Sequence, residues 1–491
     1  MRIPEYIKRN YITINLVLIV YTFSLLLYNN LLHQTFWYDE AYTIALVKYS
    51  YTEILEITSS DVHPPLYYFM LKSFCSIFGD SLVAMRIFSN LGVIASMLLV
   101  LFFTSKPLTK VVSTVFILFI AIMPVNQYMG VEIRMYSWAM FFVLASAIYG
   151  YKAYDGQRLS AHITLTIFSV CAAYTHYYAL LSVGIIYLLL ILFITRKSQK
   201  SWNKLFISIL LFVILYAYWI PVLFSQILTV QKNFWIEPIT TKDILLFCYY
   251  FFSPKEPTHP YTIFTKLEMS IALSIALLVI TGLIFQIIHL HSNRPNQGLK
   301  TAVYFISIYI ITLFITFLIS FTIQPISFPR YTCCALGPLL FGISIFIVEL
   351  WKENKKIFVI STMVLLCIFS TTRFFSEKAY YLNKNEEKAV ITNYLNSNKD
   401  IETIGSSYQS YPALAELSLI FPNKDFIIYS PKQKTDFRPF NIHSSNKYTN
   451  TNELYWVKAI YDSTHINNNY RIVNKLEIQP FTVYLLNKTP E

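Results

Sequence analysis

The sequence predicts an all-α polytopic membrane protein with about 11 transmembrane helices and a small C-terminal extracytoplasmic α/β domain. Of its 491 residues, 55% are hydrophobic and only 13% are charged, whereas a soluble domain carries about 25% charged residues. Long apolar runs recur up to Thr372, and the composition becomes polar after it. These observations exclude a disordered chain, a nucleic-acid-binding domain and an ordinary cytosolic enzyme.

Each transmembrane helix needs about 20 apolar residues to cross the bilayer core. The runs that approach this length are 12–32, 82–104, 111–128, 136–153, 162–175, 179–195, 205–223, 269–290, 302–323, 333–350 and 357–372. The fifth and sixth runs are short, and a single broken hairpin is the alternative for them.

The N-terminus resembles a retained helix more than a cleaved signal. Arg2, Lys8 and Arg9 precede an apolar run from Tyr11 to Leu32. A secretory signal has a shorter apolar core and ends in a small-residue cleavage site. The sequence therefore predicts a first membrane span whose N-terminus lies in the cytoplasm.

Basic residues support this orientation. The predicted inner segments hold 16 Lys and Arg, whereas the predicted outer segments, about twice as long in total, hold 8. Cytoplasmic loops are enriched in Lys and Arg. Much of the net charge of +12 therefore reports orientation, and a nucleic-acid partner is not needed to explain it. The predicted location is the bacterial inner membrane, with membrane lipid as a partner.

The predicted domains are 1–372, a transmembrane domain whose outer loop 33–81 carries juxtamembrane helices, and 373–491, an extracytoplasmic α/β domain. In the second domain the residue patterns predict helices and strands, with no recognisable catalytic motif. The predicted helices are Glu386–Asn398 and Tyr411–Ile420, and the predicted strand regions are Ile401–Ile404, Phe426–Tyr429, Leu454–Ile460 and Tyr470–Leu486.

The outer loop contains two groups of ionisable residues. Asp39 and Glu40 follow an aromatic cluster at the predicted outer membrane surface; a solvated pair at a helix start is the alternative to a functional role. Farther on, Asp61 is expected to N-cap a helix that has two prolines in its first turn. This arrangement would place His63 at the mouth of the helix, beside donors suited to an anion; an interfacial histidine without a role is the alternative.

Other ionisable residues map to the same predicted face. Glu132 and Arg134 follow the third span, His176 follows the fifth, and Arg330 follows the ninth. Ionisable residues at membrane depth are costly and usually mark sites or pathways. The alternative for Glu132 and Arg134 is a local salt bridge. The alternative for His176 is a histidine with satisfied hydrogen bonds, and the alternative for Arg330 is an interface anchor.

Such a face suits transfer from a lipid-linked phosphate. A carboxylate can act as general base toward an acceptor hydroxyl or amine, and Arg and His can hold a phosphate as it leaves. The chain has no Asp-x-Asp motif followed by nucleotide-binding elements and no Cys/His zinc spacing. A nucleotide sugar, which is found on the other side of the membrane, is therefore a poor donor.

Three segments resemble the signatures of the C-type membrane glycosyltransferases, in particular bacterial protein O-mannosyltransferase-like members and the lipid A aminoarabinose transferases. They are Tyr38-Asp39-Glu40-Ala41, Asp61-Val62-His63-Pro64-Pro65-Leu66-Tyr67-Tyr68 and Glu132-Ile133-Arg134-Met135-Tyr136. The resemblance covers roughly residues 1–350. It implies a bundle of about a dozen helices with a lipid-facing cavity, and inverting transfer of a sugar from a polyprenyl-phosphate donor.

The resemblance also implies roles for single residues. Asp39 matches the catalytic acidic position of the family's first loop and Glu40 its partner, while His63 stands where relatives place a His or Lys near the donor phosphate. Glu132 and Arg134 match the charged pair after the third span.

The predicted mechanism is a single displacement in which Asp39 deprotonates or orients the acceptor. The predicted donor-binding set contains Asp61, His63, Glu132, Arg134, Tyr136, His176, Arg330 and Tyr331. The acceptor can be a protein, a lipid or a surface glycan, and a divalent metal is possible because relatives differ in this respect. The alternatives are a transporter or flippase for a polyprenyl-linked glycan, and a non-catalytic membrane scaffold. A transporter would place charges along a path through the membrane.

Overall fold

The computed structural model describes residues 3–102, 110–156, 158–195, 202–230, 297–398, 400–429, 437–445, 451–478 and 480–489, with scattered positions between 236 and 274. The span predicted at 269–290 lies outside the described residues except for single positions. The chain divides into two compact units. The first unit contains Met1–Asn30 and Thr58–Ser376, and the second contains Leu31–Ile57 and Glu377–Glu491.

Helices dominate the described chain up to residue 397. They are α1 (Ile3–Arg9), α2 (Tyr11–Leu32), α3 (Tyr38–Leu46), α4 (Tyr51–Ser60), α5 (Leu66–Phe78), α6 (Leu82–Phe102), α7 (Lys110–Ile122), α8 (Pro124–Val131), α9 (Tyr136–Gly156), α10 (Leu159–Ala173), α11 (Tyr177–Thr195), α12 (Trp202–Tyr216), α13 (Ile220–Val230), α14 (Gln297–Thr322), α15 (Leu336–Lys352), α16 (Lys356–Ser397) and α17 (Tyr411–Ile420).

Within the described residues, seven helices are long and apolar enough to cross a membrane, and the bent pair α7–α8 would make an eighth. These eight coincide with predicted spans. Helices also form over the predicted spans 136–153 and 162–175, but α9 is less apolar than α10, and α10 has only 15 residues. The helical membrane architecture is thus confirmed, while the total of about 11 spans remains a prediction.

A break in the third predicted span shapes one end of the first unit. Helices α7 and α8 meet at an angle of 65°, and α8 begins with Pro124, whose missing N–H costs nothing at a helix start. Asn30 donates to Asn90 over 2.7 Å, and Asn90 donates to the carbonyl oxygen of Gly130 over 2.6 Å. This buried polar chain fixes the end of α8, from which the chain continues into residues 132–135.

The second unit is built on a six-stranded sheet with the order β3-β2-β1-β4-β6-β5. Strands β1 to β4 run parallel, and β6 and β5 complete the sheet in antiparallel pairings. The strands are β1 (Thr403–Ser407), β2 (Asp425–Tyr429), β3 (His443–Ser445), β4 (Glu453–Ala459), β5 (Tyr470–Ile478) and β6 (Phe481–Lys488).

The predicted α/β character is confirmed, and three strand predictions match β1, β2 and β4. The predicted strand region Tyr470–Leu486 is a hairpin of β5 and β6, and β3 was not predicted. The helix predicted at Glu386–Asn398 is the end of α16, the 42-residue helix whose first part is the last predicted span.

The core of the second unit includes part of the predicted outer loop. Ala41 and Ala45 of α3 belong to the same buried apolar cluster as Ile404 of β1, Leu414 of α17 and Val457 of β4. Burial of both sheet faces is typical of parallel strands, and a smaller cluster that contains Trp456 covers the other face. Helix α3, which carries Asp39 and Glu40, is therefore a structural part of the α/β unit.

Candidate active site

Four connections of the first unit carry most of the predicted site residues. His63 lies between α4 and α5, Glu132 and Arg134 lie between α8 and α9, and His176 lies between α10 and α11. Arg330 and Tyr331 belong to a 3-10 helix, Pro329–Ala335, that leads into α15. Loops on a rigid helical scaffold are common places for functional groups.

His63 and Arg134 are joined directly. The Nη2 atom of Arg134 lies 3.0 Å from Nε2 of His63. Because a guanidinium group only donates, Nε2 of His63 accepts this bond and Nδ1 carries the ring proton. Desolvation, followed by the charge of Arg134, lowers the pKa of His63 well below its usual range. His63 is therefore a neutral side chain with one N–H to offer.

His176 lies in the same cluster. Its Nδ1 atom accepts a hydrogen bond of 3.1 Å from the backbone N–H of Tyr178, so the proton of the neutral ring is on Nε2. Burial, Arg134 and Arg330 lower the pKa of His176 to about 3. Among the described residues, Nε2 of this buried ring has no hydrogen-bond partner. The rings of His176 and His63 lie 5.9 Å apart, measured between their centroids.

Arg330 is held among aromatic rings. Its guanidinium carbon lies 4.7 Å from the ring centroid of Phe328 and 5.8 Å from that of Tyr331, distances at which cation–π attraction operates. The Tyr331 ring lies 5.2 Å from that of His176 and stacks at 6.5 Å on that of Tyr136. Arg330 is only 7% exposed, so its charge is largely withdrawn from water.

The cluster is rich in hydrogen-bond donors. Two guanidinium groups and two imidazole N–H groups come together where α9 and α11 begin, and helix N-termini also favour negative charge. A partly desolvated group of this kind has the chemistry to bind an anion with several oxygen acceptors, such as a phosphate. The rings of Tyr136 and Tyr331 supply flat apolar surface beside it.

Glu132 is the carboxylate of this region. It is 2% exposed, and its charge acts on Tyr250 and Cys333, which lie near it. Over the residues that the structure describes, no group of three or more His, Cys, Asp or Glu side chains has the placement of a metal site. The possible divalent metal remains a sequence prediction.

Asp39 and Glu40 belong to the second unit and lie in the first turn of α3. Negative charge is favourable there because of the helix dipole. Glu40 is fully buried, and its Oε2 accepts a hydrogen bond of 3.4 Å from the backbone N–H of Trp37. The alternative of a solvated pair is therefore wrong for Glu40. Asp39 is half-buried.

The predicted capping role of Asp61 is wrong. Helix α5 begins at Leu66 with Pro65 as its N-cap, so the two prolines precede the helix. Residues 61–63 form a bend in which the N–H of Asp61 donates to the carbonyl oxygen of Thr58 over 3.3 Å. The N–H of Leu66 donates to the carbonyl oxygen of Tyr174 over 3.0 Å. This bond, rather than an aspartate cap, ties the start of α5 to the connection that carries His176.

Two residues of the cluster were missed in the donor-binding set. Tyr178 orients His176 through its backbone N–H, and its hydroxyl donates to the carbonyl oxygen of Ile326 over 2.7 Å. Phe328 contacts the guanidinium of Arg330. Both lie two positions from a predicted residue, and their aromatic character beside an ionisable group was the available signal.

Comparisons with known proteins identify the fold. The chain is an integral membrane protein with the fold of the C-type membrane glycosyltransferases. Residues 62–220 match the family model described as dolichyl-phosphate-mannose-protein mannosyltransferase. No curated protein matches the chain in a sequence search.

Two solved structures show the likeness of fold. The crystal structure of ArnT from Cupriavidus metallidurans in the apo state aligns with a TM-score of 0.53 at 12% identity, covering 96% of this chain and 97% of that chain. ArnT from Cupriavidus metallidurans bound to undecaprenyl phosphate gives a TM-score of 0.53 at 11% identity, with the same coverage.

Proposed function

We propose that the chain is a glycosyltransferase that moves a sugar from a polyprenyl-phosphate donor to an acceptor on the extracytoplasmic face of the membrane, with inversion at the anomeric carbon. The observation that carries this proposal is the buried donor cluster of His63, Arg134, His176 and Arg330. A phosphate offers several oxygen acceptors to these donors, and a polyprenyl chain belongs in the bilayer. The similar ArnT was crystallised with undecaprenyl phosphate, which supports the same class of donor here.

The reaction is a single displacement. An acceptor hydroxyl or amine attacks the anomeric carbon, its proton passes to Asp39, and the bond between that carbon and the phosphate oxygen breaks. Polyprenyl phosphate leaves with the negative charge, which Arg134, Arg330 and the N–H groups of His63 and His176 stabilise. Attack opposite to the leaving group inverts the anomeric carbon.

The remaining predicted residues have supporting roles in the proposal. Glu40 assists Asp39, and Tyr136 and Tyr331 pack against the sugar and the first isoprene units. Glu132 balances the charge of the two arginines. Asp61 stays a proposed donor-binding residue without the capping role.

The orientation in the proposal follows the basic residues of the sequence. The N-terminus lies in the cytoplasm, and the second unit lies outside the bacterial inner membrane. Clustering of the charged groups at one end of the first unit supports an enzyme over a transporter, which would have them along a path through the bilayer.

A transfer assay tests the proposal. The full chain in lipid nanodiscs receives a panel of polyprenyl-phosphate sugars and an envelope extract, and the release of polyprenyl phosphate is measured. Asp39→Asn is expected to lower kcat by about 100-fold or more, because the general base is lost, without weakening the binding of polyprenyl phosphate. Asp155→Asn, at an exposed position in the first unit, is the matched control and should transfer normally.

Transfer at the wild-type rate by folded Asp39→Asn would overturn the role of Asp39. Movement of an intact lipid-linked glycan across the membrane, with the sugar–phosphate bond preserved, would favour a flippase instead. Mass spectrometry of envelope glycans from a strain that lacks the protein would identify the acceptor.

A further inference from the structure

The start of helix α3 needs a hydrogen-bond acceptor. The first N–H groups of any helix have no partner within the helix, and the N-cap residue Trp37 provides no side-chain cap bond. Glu40 uses its carboxylate to accept from the N–H of Trp37, one residue before the helix. The N–H of Tyr38, the first helical residue, is satisfied from elsewhere.

That acceptor is Glu416 of α17. Its side-chain carboxyl group accepts a hydrogen bond from the backbone N–H of Tyr38. The two helices pack together at this point, with Ala41 in the same buried cluster as Leu414, and the ring centroids of Tyr38 and Tyr411 lie 5.6 Å apart. Glu416 therefore caps the helix that carries Asp39 and Glu40, from a part of the chain more than 370 residues away.

Glu416 also faces charged and titratable groups from each neighbouring element. Glu40 of α3 acts on it as a like charge, and Lys384 of α16 acts on it as a cation. Lys384 already pairs with Glu387 at 2.6 Å. Tyr461, from the segment after β4, completes the surroundings. Two carboxylates close together in a desolvated place do not both ionise easily.

We propose that Glu416 is a positioning residue that caps the Asp39–Glu40 turn. The proposal deepens the proposed function and rests on it where it concerns transfer. In this proposal the C-terminal α/β unit has the function of holding α3, the helix that carries the candidate base Asp39, in a fixed position.

The ionisation of Glu416 gives the proposal a pH dependence. Burial, followed by the charge of Glu40, raises the pKa of Glu416 to about 8. Near neutral pH the carboxyl group is protonated, and its carbonyl oxygen still accepts from Tyr38. As the pH rises through about 8, a second negative charge appears beside Glu40, and the turn is expected to loosen.

Amide hydrogen exchange of the full chain in nanodiscs tests the cap without substrate. Glu416→Ala is expected to speed exchange within Tyr38–Leu46 by about tenfold, as for loss of a helix cap, whereas Glu416→Gln should retain the protection near pH 7. Glu386→Ala, an exposed site on α16, is the matched control. Above pH 8 the wild type should lose protection relative to Glu416→Gln. Unchanged exchange in Glu416→Ala, or an equal alkaline loss in Glu416→Gln, would overturn the proposal.

The pH profile of transfer then tests positioning. The wild-type kcat should fall as the pH rises through about 8, and Glu416→Gln should lack this fall while keeping the KM for the donor. The persistence of the same alkaline fall in Glu416→Gln would contradict the positioning role. A wild type that shows the predicted exchange behaviour but transfers no sugar would refute the proposed function and leave the cap intact.

Discussion

Each unit places groups of like charge close together: basic groups in the first unit and acidic groups in the second. In the first unit, Arg134 and Arg330 surround two histidines, and their positive charge helps to keep the histidines neutral. In the second unit, Glu40 faces Glu416 and helps to keep that carboxyl group protonated. In both places, desolvation and a neighbouring like charge favour the uncharged form of a titratable side chain. These side chains are the two histidines in the first unit and Glu416 in the second. The basic cluster is therefore suited to bind an anionic ligand, whereas the pair of Glu40 and Glu416 is suited to hold a proton on one of its two carboxyl groups.

The largest expected effect concerns the basic cluster. Arg134→Ala removes a charged donor from a buried place and frees Nε2 of His63. The affinity for polyprenyl phosphate is expected to fall by about 100-fold, since a charged hydrogen bond contributes roughly 1.5–3 kcal/mol. Binding is measured by calorimetry in nanodiscs. The matched control is Arg158→Ala, an exposed site that should bind normally; an equal loss in both variants would mean that the cluster is not the phosphate site.

The second prediction compares the packing of the two units. A Cβ atom on Gly92 of α6 would lie 2.8 Å from the backbone carbon of Ser137 in α9, whereas one on Gly405 of β1 would lie 2.9 Å from the ring edge of Tyr429. Backbone yields less than a side chain, so Gly92→Ala should destabilise the protein by about 2 kcal/mol and Gly405→Ala by less. Thermal unfolding in detergent measures both effects.

Gly184→Ala is the control for Gly92→Ala, because no atom outside its own stretch of helix backbone lies within 4 Å of the added carbon. Its unfolding temperature should equal that of the wild type or exceed it slightly. A Gly92→Ala variant as stable as this control would show that α6 and α9 approach each other less closely.

The smallest expected effect is a difference in pH response. For His176, the folded pKa of about 3 lies below the ordinary value of 6.5, so its contribution to stability is present above pH 6.5 and is lost as the pH falls toward 3. For Glu416, the folded pKa of about 8 lies above the ordinary 4.5, so its contribution is present below pH 4.5 and is lost as the pH rises through 8. Each response involves one proton, so the unfolding equilibrium constant changes by at most about tenfold per pH unit.

Local hydrogen exchange separates the two responses. His176→Gln should reduce the acid loss of protection at the start of α11, and Glu416→Gln should reduce the alkaline loss at α3. If each substitution affected both segments equally, the two clusters would not be the sources of the two responses.

The sequence predicted the helices of the first unit well because lipid requires long apolar runs with internal hydrogen bonds. It also predicted β1, β2, β4 and α17 of the second unit. It missed β3, which has three residues and little apolar pattern. It misplaced the start of α5, since the N–H of Leu66 is bonded to the carbonyl oxygen of Tyr174, a contact with a distant segment that local residue preferences do not reveal.

The candidate site was predicted in part. Six of the predicted residues lie close together, as expected: His63, Arg134, Tyr136, His176, Arg330 and Tyr331. Their catalytic and binding roles stay predictions. Glu416 gave no sequence signal, because an acidic residue in an amphipathic helix usually faces water.

By itself the sequence determined the membrane class, the helical spans and the set of ionisable residues that are costly to keep at membrane depth. Their cost in an apolar chain makes them visible without any coordinates. Only the tertiary structure decided which ring nitrogen of His63 and of His176 carries the proton, that α3 belongs to the α/β unit, and that Glu416 caps it. These facts depend on contacts between residues far apart in the chain, and hydrogen-bond direction and desolvation are properties of those contacts rather than of any local pattern.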